Sequence, residues 1–167
     1  MRAARRDHHV RVDVSRPRRG FVHPASADDV RRALAFFGPT STYGLRRVEL
    51  RHGPGRPLVA AMTEPGVVVL YEQPCPPWTI TGRFTTETRR RLRRAGAMVE
   101  VGSTTTRVDW PEPTLRDFVL LDGLMHEIGH HVVQHRANKK NSVMRTADHE
   151  RRADAFAAEC RRAWTTA

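Results

Sequence analysis

Two cysteines in 167 residues, Cys75 and Cys160, are too few and too far apart for a disulfide framework or a cysteine-built metal cluster. A reducing compartment would keep both as thiols. Long apolar runs are missing as well. Nothing approaches the roughly 18 consecutive apolar residues that suggest a membrane span, so no membrane partner is expected. The basic stretch Met1–Arg6 is followed by no apolar run, which argues against a secretory leader and for a cytoplasmic location. Neither an internal repeat nor a low-complexity tract is present. No helix-turn-helix or finger motif supports sequence-specific reading of nucleic acid.

Lysine is nearly absent too. Of the 29 basic residues 27 are arginine, and they bring the net charge to +11. Residues 1–19 hold seven arginines against Asp7 and Asp13, so this segment is expected to be a flexible basic arm, with a short strand at Val10 to Val14. A second basic concentration is Arg89-Arg-Arg-Leu-Arg-Arg94. Each reads either as a solvated surface or as a contact for a polyanion such as nucleic acid. The remainder, 20–167, has the length of one domain.

Turn and cap signals divide that domain. Ser26 to Gly38 reads as a helix capped by Ser26, with Asp28 and Asp29 in its first turn, Val30, Leu34 and Phe37 on its apolar face, and Gly38-Pro39 as its stop. Strands are expected at Leu45–Arg51, Arg56–Met62 and Gly66–Glu72. The last is apolar enough for a central position. The turns His52-Gly-Pro-Gly and Thr63-Glu-Pro-Gly suggest antiparallel connections. After a proline-rich break at 73–77, a strand at Trp78–Phe84 precedes a helix from Thr85 or Thr86 to Ala95, ended by Gly96. Short strands follow at Met98–Val101 and Arg107–Trp110.

The chemistry concentrates in 114–164. His126-Glu127-Ile128-Gly129-His130 is an H-E-x-x-H motif. Residues four apart on a helix lie about 40° apart on one face, so both imidazoles can reach one metal ion, with Glu127 beside them. Two neutral nitrogen ligands, an open coordination position and a carboxylate to take a proton from water suit zinc. Leu115, Phe118, Val119, Leu121, Met125, Ile128 and Val132 recur at helical spacing, so one buried helix over 114–136 is expected. Thr114 is expected to cap it in a box with Asp117. Gly123 and Gly129, poor helix formers, point to close packing.

A third ligand is needed. His135 is rotated about 180° from His126, and His131 about 100° from His130, so neither fits. The metzincin spacing would need Gly at 133 and His at 136, where Val133 and Arg136 stand. Glu150 is the better candidate. It lies in the first turn of a helix over 146–164, started by Thr146 and carrying Ala153, Ala157, Cys160 and Trp164 as an apolar stripe. Asp154 shares its face and can accept the second N–H of a ligating imidazole.

These residues carry a resemblance. His126-Glu127-x-x-His130 with Glu150-x-x-x-Asp154 resembles the gluzincin-type zincin metallopeptidases. Glu150-Arg-Arg-Ala-Asp-Ala-Phe-Ala-Ala resembles the second site helix of the ImmA/IrrE family. The resemblance covers about 114–164 and departs at Arg161-Arg-Ala-Trp164, where that family often has Leu-Met-Pro. It implies one zinc ion per chain held by His126, His130 and Glu150, Glu127 as general base and Asp154 behind a ligand. The fold it suggests is α+β, a small, mostly antiparallel sheet covered by the H-E-x-x-H helix and a C-terminal ligand-bearing helix. The function it implies is zinc-dependent hydrolysis of an intracellular protein or peptide. Tyr43, Tyr71, His149 and Arg145 are candidate oxyanion donors. An edge strand at Arg107–Trp110 or Gly66–Tyr71 could hold a peptide by strand addition. The competing expectations are a nucleic-acid-associated basic protein whose zinc is structural, or which cleaves DNA-bound proteins, and a hydrolase of a non-peptide amide.

Overall fold

The computed structural model describes residues 9–55, 57–138 and 146–167, and of residues 40, 134–138 and 146 the backbone alone. The expectations for residues 1–8, Arg56, His135 and most of the 137–145 connector, Arg145 included, lie outside the described residues or side chains.

The chain is α+β. Its main sheet holds β1 (Arg11–Val14), β3 (Arg47–Arg51), β4 (Ala60–Glu64) and β5 (Val67–Tyr71) in the order β1-β3-β5-β4. β5 is central, as its continuous valines suggest. The expected mostly antiparallel arrangement does not hold for this sheet. β1 runs parallel to β3, and β3 parallel to β5; only β4 and β5 form an antiparallel hairpin. The reason is connectivity. Helix α1 (Ala27–Thr42) carries the chain from β1 back to the start of β3, and a crossover of this kind yields parallel neighbours. The turn at His52 leads past β3's neighbour to the outer strand, so β3 and β4 never pair. The turn at Thr63 does close a hairpin, with Gly66 at φ 78°, a backbone conformation natural to glycine.

A second sheet is antiparallel: β7 (Trp78–Thr81), β9 (Thr105–Asp109) and β8 (Met98–Val101), with β9 in the middle. The short strands β2 (Phe21–Val22) and β6 (Gln73–Pro74) form a third pairing. Helix α2 (Thr86–Arg94) starts at Thr85, whose hydroxyl accepts from Thr88 N.

α1 begins with the capping box read from the sequence. Ser26 Oγ accepts from Asp29 N at 3.1 Å, and Asp29 accepts from Ser26 N at 2.8 Å. Burial pushes the Asp29 carboxyl up, but the Ser26 and Arg32 contacts outweigh it and hold it below its ordinary value. Gly38 breaks the helix at φ 74°, yet one more helical stretch follows Pro39 to Thr42. Proline is well placed there because a helix start has no use for its missing N–H.

The expected single helix over 114–136 has three parts: α3 (Thr114–Phe118), a π-helical stretch Val119–Leu124, and α4 (Met125–Asn138). Thr114 is not the cap. It is the first helical residue, and its hydroxyl donates to Pro111 O, so the expected box with Asp117 does not form. Leu120, Leu121, Leu124, Met125 and Ile128 are almost wholly buried. With Val48, Leu50, Val68 and Leu70 they build the main core. A second core of Leu92, Val99, Val108, Trp110, Leu115 and Phe118 lies between α2, the second sheet and α3. Helix α5 (Thr146–Thr165) closes the molecule; its Trp164 stacks on Phe37 of α1 at a centroid distance of 5.9 Å.

The basic segments are partly structural. From Arg11 the arm is strand β1, and Arg18 pairs with Glu72, whose side chain is fully buried. In α2, Arg91 donates to Asp122 O and Arg93 to Val99 O, both at 3.1 Å. Asp122, in the π-helical stretch, also pairs with Arg161 of α5, so it ties α2 and α5 to the site helix. Among the described residues no helix is long and apolar enough to cross a membrane.

Burial pushes the Glu72 carboxyl up, but hydrogen bonds from the Arg18 backbone and guanidinium and from Gly53 N override it and hold its pKa below the usual 4.5. A depressed folded value gives stability present above the unfolded value and lost as pH falls through the folded one. Glu72→Gln is therefore expected to cost about 1–2 kcal/mol at pH 7. In urea titrations the gap between wild type and variant should narrow steadily below pH 4.5. A gap that does not change with pH would show that the charge is not what matters.

Candidate metal centre

α4 and α5 cross where Gly129 meets Ala153, with the Phe156 ring beside them. A Cβ built on Gly129 would lie 3.1 Å from Ala153 Cα and 3.2 Å from Ala153 O. Any larger side chain at 129 pushes α5 outward. The close packing expected of Gly129 is thus what sets the distance between the H-E-x-x-H face and Glu150, one turn before Ala153. Gly123 is equally tight, its Cβ position lying 2.9 Å from Val59 Cγ1 at the approach to β4.

This crossing brings His126, His130 and Glu150 together, with one ligand atom from each within 4.8 Å of the others. The two Nε2 atoms are 3.1 Å apart. Carboxylate oxygens of Glu150 lie 3.6 Å from His126 Nε2 and 3.4 Å from His130 Nε2. Ligand atoms about 2.0–2.1 Å from a tetrahedral zinc stand roughly 3.3 Å from one another. The two Nε2 atoms stand close to that separation, and a different Glu150 oxygen lies near each of them, so the residues present fit such an ion. His126 and His130 are mostly buried, while Glu150 is open to solvent.

The second nitrogens of both rings face partners on α5. His126 Nδ1 is buried and 3.1 Å from Asp154 Oδ1, an ion-pair distance at which the two do not meet in hydrogen-bond geometry. A carboxylate there favours the tautomer with the proton on Nδ1 and leaves the Nε2 lone pair free to ligate. His130 Nδ1 is 3.5 Å from His149 Nδ1, and the two rings lie nearly parallel at 13°. His149 was named from the sequence only as an oxyanion donor; here it backs His130. The signal was its position next to Glu150 on the same helix turn. Tyr43 is exposed, and its carbonyl is engaged by His131 Nε2 at 2.8 Å, which accounts for the buried His131.

Glu127 points to a different neighbour. Its Oε2 accepts from Met62 N of β4 at 3.0 Å. β4 is an outer strand of the main sheet, so Glu127 sits along its unpaired side. The strands expected to offer an edge, Arg107–Trp110 and Gly66–Tyr71, do not: β9 and β5 are each flanked on both sides. Their valines and alternation report burial, which a central strand satisfies better than an edge. Met62 was missed because a backbone N–H leaves no mark in the sequence.

Both cysteines are free, Cys75 exposed and Cys160 buried. Burial first and Glu159 second push the Cys160 thiol up to about 11, so it stays protonated and inert. Comparisons with protein-family models, curated proteins and solved structures give no match for the chain.

Two substitutions test this geometry by zinc titration. Asp154→Ala is expected to weaken zinc affinity about 10–100-fold while leaving the ligands in place. Gly129→Leu should weaken it at least as much, by displacing α5. Unaltered affinity in Gly129→Leu would mean that the helix crossing does not control ligand spacing.

Proposed function

We propose that the chain is a zinc-dependent metallopeptidase, with zinc held by His126, His130 and Glu150 and Glu127 as its general base. The observation that carries this reading is the cluster of His126, His130 and Glu150, with one ligand atom from each within 4.8 Å of the others, formed by the residues that the H-E-x-x-H motif and the second helix single out. The resemblance of 114–164 to the ImmA/IrrE family supports it from the sequence side.

Zinc, when bound, supplies a Lewis acid that polarises a carbonyl and makes water nucleophilic at neutral pH. The chain supplies the rest. Glu127 takes a proton from the attacking water onto its carboxylate and delivers it to the departing amide nitrogen. Met62 N holds one carboxylate oxygen, which orients Glu127 towards the strand edge. Asp154 and His149 stand behind the two imidazoles, at 3.1 Å from His126 Nδ1 and 3.5 Å from His130 Nδ1. A substrate strand pairing with the free side of β4 would carry its backbone past Glu127, as strand addition requires. The arginines of α2 give less support to a nucleic-acid reading, because Arg91 and Arg93 are held by this chain's own carbonyls.

Metal analysis beside peptide hydrolysis tests the proposal. Wild type should hold about one zinc and Glu127→Gln the same amount, with hydrolysis down about 10²–10⁴-fold. Glu150→Ala should lose most of its zinc and keep its circular dichroism spectrum. Wild-type hydrolysis by Glu127→Gln would remove the general-base assignment. Full zinc content in Glu150→Ala would move the third ligand elsewhere.

A further inference from the structure

The buried seam of α5 is made of short side chains, Ala153, Ala157 and Cys160, and Gly129 lies against the first of them with the Phe156 ring beside the contact. Short side chains allow close approach, but they leave shallow ridges and grooves, and it is ridges in grooves that fix one helix against another. The glycine sets how near α5 comes. Where α5 sits along the site helix needs a directional contact.

Three polar rungs cross the seam. His130 faces Glu150, His126 faces Asp154, and Asp122 faces Arg161. The numbers fall on one side as they rise on the other, so the two elements run antiparallel. Glu150, Asp154 and Arg161 lie within about 40° of one another around α5, which makes them one face. The first two rungs belong to the centre itself. The third lies outside it, a turn before His126 in the π-helical stretch.

That third rung is the best shielded. Arg161 and Asp122 expose 21% and 20% of their side chains, Glu150 and Asp154 57% and 65%. Arg161 Nη2 donates to Asp122 Oδ2. From the other side Arg91 of α2 donates to Asp122 O at 3.1 Å and stands 3.7 Å from the carboxylate, so Asp122 is held between two helices. Arg161 is seven residues beyond Asp154, about 10 Å along α5, whereas Asp122 and His126 are separated by only about 6 Å. The guanidinium therefore leans back towards the start of α5, the direction in which helical side chains point. A slide of α5 by one residue, about 1.5 Å, would break this charge-assisted bond.

We propose that Asp122 is a positioning residue of the metal centre. Through Arg161 it fixes the register of α5, and so the place of Glu150 and Asp154 opposite the two histidines. The claim rests on the zinc reading for its effect on affinity; its effect on the docking of α5 needs no metal.

The test is zinc titration against a competing chelator, beside amide hydrogen exchange of the metal-free chain. Asp122→Asn and Arg161→Met should each weaken zinc binding about tenfold, and the double variant no more than either alone. Arg161→Lys, which restores the charge, should stay within about threefold of wild type. Glu72→Gln, which breaks an ion pair outside the centre, controls for lost stability and should leave zinc affinity unchanged. In the metal-free chain, exchange over residues 147–157 should be about tenfold faster in Asp122→Asn than in Glu72→Gln. Should Asp122→Asn fail to fold, the two Arg161 variants carry both measurements. Wild-type zinc affinity in Arg161→Met, or an equal loss in Glu72→Gln, would overturn the proposal. If the wild type takes up no zinc, the metal reading fails by itself; exchange then decides, and unchanged rates over 147–157 would overturn the register claim.

Discussion

The centre depends on how closely two helices approach. Gly129 and Ala153 meet with almost no side chain between them, and at that distance Glu150 reaches the histidines of the neighbouring helix. The same constraint acts on the other side of the motif. Gly123 lets the π-helical stretch lie against Val59, next to the strand whose Met62 N–H holds Glu127. Two glycines, six residues apart, thus set the positions of His126, His130 and Glu150 and of Glu127. Each weakens the helix by roughly 1 kcal/mol relative to alanine, a local cost offset by the packing it permits.

Much of this centre was legible because its information is local. His126, Glu127 and His130 share a face by helical periodicity, and Glu150 and Asp154 do so four residues apart. The Ser26 box and the Gly96 stop were readable for the same reason: a cap is recognised from residues three or four positions away. Sheet order was not. The turn at Thr63 joins neighbours and the turn at His52 does not, though both hold the same proline-glycine signal. What separates them is the place of β4, which pairs with β5 on the side away from β3, so the His52 turn joins strands that are not neighbours. Thr114 failed as a cap because a carbonyl, Pro111 O, competed for its hydroxyl, and carbonyls are invisible in a pattern of side chains.

Arginine shows a similar division. By count the chain looks built for a polyanion. By contact several arginines serve the fold: Arg18 closes on Glu72, Arg91 and Arg161 converge on Asp122, and Arg93 caps a strand carbonyl. A planar guanidinium with five donors can bridge elements that no apolar side chain could join at a polar surface. Composition alone cannot separate a charge used inwardly from one offered to a partner.

Glu150 follows His130 by twenty residues, and the two stand on different helices, α5 and α4. An ion held from both sides is therefore also a cross-link. It closes a loop whose closure entropy is otherwise covered by helix packing alone. Binding and the joining of these helices would be one equilibrium, so metal affinity would measure the docking of α5 as much as ligand chemistry. In such an arrangement the last helix is a reporter. Anything that loosens α5 anywhere along its length, even at Trp164 where it leans on α1, would be felt at the centre as weaker hold on an ion.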